Sequence, residues 1–313
     1  MTALTVAHPA SASEALALLA ASRLPVDSPT QRRIRSETHL RDTFADGRRR
    51  PEWVWTVDGA SPGIVAGYGS ADGTAHLLDV FDLPDDPEAA RLLVRRASDD
   101  LAAAGGEEAL IFTPTDMSLD DAALAPVVAP LRDAGWRLLV ERRHYEFEPP
   151  PGLAQRATTY PTSLRFVQMT DPADPRLAAC HREVMRDTLD AHDQALVERV
   201  GFEEACLQSL EYLVTADPVD RIHLALDERG DVVGIVSGHV WPSRRGVVLF
   251  VGVCRDHRGR GYGRQLLAWQ TLRNLAAGAE VLVADTDNAN VPMAQGFADV
   301  GWPQTETRID LVR

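Results

Sequence analysis

Two stretches of this chain repeat each other at a distance of about 170 residues. IVAG at 64–67 returns as IVSG at 235–238, EALIF at 108–112 returns as EVLVA at 280–284, and Gly135-Trp136 returns as Gly301-Trp302, always in the same order. One such match carries little, because an apolar string ending in glycine suits any buried strand. Three matches at nearly constant spacing point to a duplicated domain, and 313 residues leave room for two. A break fits the duplication: Pro149-Pro150-Pro151-Gly152 is incompatible with both helix and central strand. We therefore expect a domain over 1–148, a proline-rich linker over 149–160 and a second domain over 161–313.

Periodicity and turn residues predict the same elements twice. In the first half these are helices over 11–22 and 29–45, strands over 52–58, 63–70 and about 76–81, a helix over 87–104, a strand over 108–112, a helix ending at Gly135-Trp136 and a strand over 138–147. In the second half they are helices over 174–190 and 203–214, strands over 221–227, 232–241 and 246–253, a helix over 262–277, a strand over 280–286, a helix ending at Gly301-Trp302 and a strand over 307–312. Gly230 and Gly246, each inside a short turn between apolar strands, mark hairpins with φ > 0 at the glycine. Hairpins followed by a strand–helix–strand crossover make an α/β fold, a mixed and mostly antiparallel twisted sheet with a central parallel pair and flanking helices.

Charge narrows the function. The chain has 32 basic and 46 acidic side chains, net −14, and both halves are acidic, so no basic footprint for nucleic acid exists. Every basic residue is arginine. Without a lysine there is no phosphate-gripping Walker lysine and no Schiff-base amine, which excludes both chemistries. Three well-separated cysteines (Cys180, Cys206, Cys254) lack any CxxC spacing, so neither a disulfide framework nor a metal site is expected. No uncharged apolar run is long enough to cross a bilayer, and the first basic residue is Arg23, unlike a signal peptide. These features predict a cytoplasmic protein, monomer or homodimer, that meets neither membrane nor nucleic acid.

Chemistry concentrates in one segment. After the apolar strand ending at Val253 come Arg258-Gly259-Arg260-Gly261-Tyr262-Gly263-Arg264, and then a helix with Tyr262, Leu266, Trp269 and Leu272 on one face. Strand, glycine loop and helix N-terminus together present backbone N–H groups to an anion, and the glycines let a phosphate approach. Three arginines add charge-assisted donors. The spacing is GxGxG, which departs from the dinucleotide fingerprint.

This loop resembles the pyrophosphate loop (R/Q-x-x-G-x-G/A) of the GNAT superfamily of acetyl-CoA-dependent N-acetyltransferases. Asn290-x-x-Met293 and the Gly301-Trp302 pair also resemble that family's later elements, and the whole resembles actinobacterial tandem-GNAT proteins. The resemblance implies acetyl-CoA as cosubstrate and no metal. Val251, Gly252 and Val253 would meet the pantetheine arm, Arg258, Gly259, Arg260, Gly261, Tyr262, Gly263 and Arg264 the pyrophosphate, and Asn290 the arm as well. The implied reaction is direct attack of a small, cationic amine acceptor on the thioester.

Departures from the family leave proton transfer unassigned. The tyrosine that the family often places four residues before its Gly-aromatic pair is Phe297 here, and 246–254 contains no carboxylate. His239, late in a strand bordering the acceptor cleft, is the candidate base, although a strand histidine also suits plain packing. Asp187, Asp190 and Asp193 fall where the acceptor pocket is expected and would receive a cationic amine; a solvated helix end explains them equally. The first half offers Leu83-Pro84-Asp85-Asp86-Pro87-Glu88 at the loop position, without glycine and rich in carboxylates, so it reads as a degenerate copy. A non-catalytic acyl-CoA binder and a protein or peptide N-acetyltransferase are the alternative readings.

Overall fold

The computed structural model describes residues 4–59, 61–160, 163–216 and 218–313. The chain forms two compact units, the first built from Met1–Arg142 with Glu306–Arg313 and the second from Arg143–Thr305. Residues 306–313, expected in the second domain, thus belong to the first.

In chain order the elements begin with β1 (Val6–Ala7), α1 (Ala12–Ala21), α2 (Pro29–Ile34), α3 (Glu37–Ala45), β2 (Val54–Val57), β3 (Gly63–Gly69) and β4 (Ala75–Asp82). Then follow α4 (Pro87–Ala103), β5 (Glu108–Thr113), α5 (Ala125–Asp133) and β6 (Arg137–Phe147), which runs across the division at Arg142. The second unit continues with α6 (Leu153–Thr158), β7 (Arg165–Gln168), α7 (Pro175–Met185), α8 (Ala191–Val200), α9 (Phe202–Ala216), β8 (Ile222–Leu226) and β9 (Val232–Val240). Last come β10 (Arg245–Val253), α10 (Tyr262–Ala276), β11 (Val281–Asp287), α11 (Val291–Val300) and β12 (Glu306–Val312).

In the first unit β1 to β4 are antiparallel neighbours. β4 runs parallel to β5 through Leu77 and Leu78, and β12 lies on β5's other side, antiparallel to it, from Thr307 opposite Thr113 to Val312 opposite Glu108. One sheet face packs Trp55, Phe81, Leu93, Leu101, Ile111 and Trp136 beneath α4 and α5, and the other packs Leu19, Leu40, Val54 and Val80 beneath α1 and α3.

In the second unit β7 to β10 are antiparallel and β10 is parallel to β11, with β6 on β11's far side. Leu267, Leu282, Phe297 and Trp302 pack under α10 and α11. Leu177, Val184, Leu224 and Ile235 pack under α7. The two units share a signature: Trp136 donates its indole N–H to Ser98 Oγ on α4 at 2.8 Å, and Trp302 donates to Thr271 Oγ1 on α10 at 3.0 Å. The repeated Gly-Trp pairs therefore do one job, tying the end of one helix to the middle of another.

Local differences from the expected elements have local causes. The helix over 29–45 is two helices, because Ser36 leaves the helical path and caps α3 by accepting from the His39 amide. The helix expected over 174–190 stops at Met185, and α8 follows it, capped by Asp190. The proline-rich segment contains α6, entered through Gly152 at φ 88°. In the turn before β10 the left-handed residue is Arg244, at φ 59°, and not Gly246. Gly246 is needed for space, since a Cβ there would lie 2.8 Å from Ala279 Cβ.

Candidate functional site

The second unit opens a gap in its own sheet. β10 and β11 pair only through Arg245–Val281, Gly246–Leu282 and Val247–Val283, although both strands continue, to Val253 and Asp287. Beyond Val247 the pairing of β10 with β9 slips between Val248 and Phe250, leaving Leu249 as a bulge residue. After the bulge the register is regular, and the Cys254 amide donates to Val233 O at 2.9 Å. The alternation of an antiparallel ladder then aims the N–H and C=O groups of Val251 and Val253 away from β9, toward the side that β11 has left. Gly252 carries α7 across this strand, because a Cβ would sit 2.4 Å from Val184 Cγ1.

The expected anion loop closes the end of the gap. Gly259 and Gly261 adopt φ 78° and 77°, conformations that suit glycine, and a Cβ on Gly259 would meet no atom within 4 Å. Gly261 opens α10 without a side-chain cap, so the first amides of this 15-residue helix have no capping side chain. Gly263 stands over Val253 and Met293. An uncapped, glycine-lined helix start of this kind fits a pyrophosphate.

The arginines divide in role. Arg258 spends its guanidinium on three backbone carbonyls: Val253 at 3.2 Å, Asp187 at 2.8 Å and Val184 at 2.7 Å. Burial and the nearby Arg255 pull its pKa below the usual arginine value. It is a clamp between the end of β10 and the end of α7, a role the spacing of the loop did not reveal. Arg264 pairs with Asp299 at 2.6 Å and lies over the Tyr160 ring. Arg260 remains exposed and, among the described residues, bonds only the Asp256 carbonyl, at 3.2 Å. Asn290 caps α11 by accepting from the Met293 amide at 3.3 Å.

The three aspartates are engaged. Asp187, at φ 49°, pairs with Arg255 at 2.6 Å, and that cation lowers its pKa. Asp190 caps α8 through the His192 and Asp193 amides. Asp193 accepts from Ser209 Oγ at 3.3 Å and Thr188 Oγ1 at 3.4 Å, while burial and the neighbouring Asp190 push its pKa up to about 6. The Ala191 amide donates to Asp287 Oδ2 at 2.7 Å at the end of β11. The segment between α7 and α8 is therefore pinned to β10 by Arg258 and to β11 by Asp287, across the mouth of the gap. A basin of about 530 Å³ beside it is lined by Arg182, Arg186, Asp187, Phe202, Arg255 and Asp256.

His239 pairs with Val247 in the ladder, level with the last β10–β11 pair, and its ring meets Trp241 edge-on at 5.7 Å. Ile235 packs under α7, so the alternation of β9 puts His239 on that face of the sheet too. Phe297 is buried, stacked on Tyr145 at 4.2 Å and edge-on to Trp302.

Sequence reasoning missed His181, on α7, which packs on β9 and β10. Its ring stacks on Phe250, just past the bulge, at 5.9 Å, and its Nε2 lies 3.3 Å from Ser209 Oγ. A histidine among Leu177, Cys180 and Val184 on an amphipathic helix reads as packing, and its partners arrive from α8 and α9, far along the chain. Among the described residues no three His, Cys, Asp or Glu side chains gather as a metal site, and no helix is long and apolar enough to cross a membrane.

The equivalent loop of the first unit is occupied by its own residues. Asp86 caps α4 by accepting from the Glu88 amide, and Arg23 binds Asp82 at 2.8 Å and the Leu83 carbonyl at 2.8 Å. The helix start that is uncapped in α10 is here filled by a carboxylate.

Residues 179–302 match the model of the acetyltransferase (GNAT) family. No curated protein matches the sequence. Among solved structures, a GCN5-related N-acetyltransferase from Sphaerobacter thermophilus is similar at 16% identity and TM-score 0.59, with 99% of this chain and 95% of that one covered. A tandem GNAT protein from the clavulanic acid biosynthesis pathway is similar at 15% identity and TM-score 0.56, covering 99% of this chain and 98% of that one. A functionally unknown protein from Staphylococcus epidermidis is similar at 11% identity and TM-score 0.54 over 82% of this chain and 92% of that one. Residues 179–302 are thus similar to the acetyltransferase (GNAT) family, in a chain whose fold is that of two GNAT-like domains in tandem.

Proposed function

We propose that the second unit is an N-acetyltransferase that moves an acetyl group from acetyl-CoA to the primary amine of a small molecule. The observation that carries this reading is the gap between β10 and β11, ending at the uncapped start of α10. In it, the outward N–H and C=O of Val251 would pair with the pantetheine amides, while the amides after Gly261, with Arg260, would hold the pyrophosphate. Arg258 acts in this reading by shaping the loop, since its three guanidinium nitrogens already have partners, and Asn290 shapes the start of α11 through Oδ1 while its side-chain NH₂ would meet the arm. The amine would attack the thioester carbonyl near the bulge at Leu249, with His239 one strand away, across β10 from the gap.

The first unit is read as a degenerate copy that does not bind acetyl-CoA, because Asp86 and its neighbours fill the helix start with negative charge. Recognition of a cationic acceptor by Asp187, Asp190 and Asp193 is not part of the reading, as each is engaged within the protein. The free, buried thiols of Cys180, Cys206 and Cys254 suit a reducing cytoplasm.

A second reading, a non-catalytic acyl-CoA binder, draws support from Phe297, a buried ring without a proton to give. Calorimetric titration of acetyl-CoA into the wild-type chain and into Gly261→Asp tests the first part. One site per chain, weakened at least about 100-fold by the carboxylate at the cradle, is expected. No binding in wild type overturns the reading, and two sites overturn the degenerate first unit. Thiol release across a panel of small primary amines then separates enzyme from binder.

A further inference from the structure

We propose that His181 is the proton-transfer residue of this site, taking a proton from the acceptor amine on Nδ1 and returning it to the departing thiolate. The inference rests on the acetyltransferase reading above.

Three observations lead to it. His181 is 1% exposed, and among the described residues its Nδ1 has no hydrogen-bond partner, whereas nearly all buried polar atoms in folded proteins have one. On the other side of the ring, Nε2 lies 3.3 Å from Ser209 Oγ, and that oxygen lies 3.3 Å from Asp193 Oδ1. The ring stacks on Phe250, one residue past the bulge in β10, on the sheet face that also carries His239.

The chain of contacts fixes the tautomer. Asp193 as a carboxylate only accepts, so the Ser209 hydroxyl donates to it and must accept from His181, which places the imidazole proton on Nε2. Nδ1 then holds a bare lone pair. Burial, with no charged group adding to it, pushes the His181 pKa down to about 4, which keeps the ring neutral at working pH. Both links are long for resting hydrogen bonds, as catalytic contacts often are before substrate binds.

The step balances without a further reactant. The amine lone pair forms the C–N bond at the thioester carbonyl, one N–H proton passes to Nδ1, the C–S pair leaves on sulfur, and the same proton passes from Nδ1 to that thiolate. While the ring carries the extra charge, Ser209 and the Asp193 carboxylate stabilise it through Nε2–H. Asp193 and Ser209 act through His181 and are positioning residues. Phe297 and the carboxylate-free β10 are then no obstacle to turnover, since base and acid are one residue on α7.

Two measurements on the full chain test the proposal. The first needs no acceptor: nitrogen-15 shifts of labelled histidines, with the His181 signal identified by its loss in His181→Gln. A neutral Nε2–H tautomer at pH 7, with its preference weakened in Ser209→Ala, is expected; an Nδ1–H tautomer or an imidazolium overturns the assignment. The second is thiol release from acetyl-CoA with small primary amines. His181→Gln is expected to lower kcat at least about 100-fold, with acetyl-CoA affinity within about 2-fold of wild type by calorimetry, and added imidazole is expected to restore part of the loss in His181→Ala. Unchanged kcat in His181→Gln with acetyl-CoA still bound overturns the role of His181 alone. Absence of acetyl-CoA binding in wild type overturns the acetyltransferase reading itself.

Discussion

Glu306, the first residue of β12, accepts three hydrogen bonds from Thr30 at the start of α2, two from the amide at 3.0 and 3.2 Å and one from the hydroxyl at 2.7 Å. Both side chains are buried. Glu306→Gln replaces one acceptor oxygen with an NH₂ that faces donors, and we expect it to cost about 1–3 kcal/mol. The check is a lower urea midpoint with an unchanged slope. An unchanged midpoint would show that Thr30 does not depend on this carboxylate.

Arg49 and Asp79 form a buried ion pair in the first unit, bidentate at 2.7 and 3.0 Å, with Arg49 also donating to Gly67 O at 2.9 Å. Asp79→Ala leaves a buried guanidinium without its counter-charge and is expected to destabilise by about 3–5 kcal/mol. Pairing it with Arg49→Met is expected to recover part of that loss, because the unpaired guanidinium is then gone, while the buried Arg35 still lacks the attraction of Asp79. Additive losses in the double variant, measured by denaturant unfolding, would contradict this account.

Arg258 and Arg260 should behave differently although they are two residues apart in one loop. Arg258→Ala removes three donors to carbonyls between β10 and α7 and is expected to lower stability by about 1–3 kcal/mol, while Arg260→Ala is expected to leave stability within about 0.5 kcal/mol and weaken acetyl-CoA binding. Thermal unfolding and calorimetry on both variants give the comparison.

His144 sets a pH dependence. Burial opposes its charge, but Asp285, whose Oδ1 lies 2.7 Å from Nδ1, and Glu146 outweigh burial and hold its pKa up at about 9 against 6.5 for a free histidine. A value raised on folding contributes stability that is complete below about pH 6.5 and is lost as pH rises through 9. The chain should therefore lose up to about 3 kcal/mol over that window, from the interval of pKa values. Asp285→Asn should flatten the dependence; an equal slope in that variant, followed by circular dichroism, would assign it to another group.

The strands and the long helices were legible because each is short-range physics: the expected 262–277 is α10 (Tyr262–Ala276), and 280–286 is β11 (Val281–Asp287). The glycine loop was legible as well, since Gly259 and Gly261 announce left-handed backbone by residue type. What sequence could not show are choices among partners. Arg258 could serve an anion or three carbonyls with the same side chain, and only the approach of α7 decides. His181 looks like a core residue until α8 and α9 bring Asp193 and Ser209 to it. The placement of β12 is equally invisible, as TRIDLV suits any half-buried edge and pairing with β5 depends on the fold of a distant segment.

That pairing reverses the order in which the protein can be finished. On a ribosome the residues of β5 emerge early, but their partner strand arrives only after all of 143–305 has been made. In that interval Leu110, Ile111 and Phe112 stand on an open strand edge, the kind of surface on which nascent chains associate wrongly. The second unit has every one of its own residues before the first unit has its last strand. The second unit is thus complete while the first still waits for its closing piece, and a chain stopped at Thr305 would carry that open edge permanently.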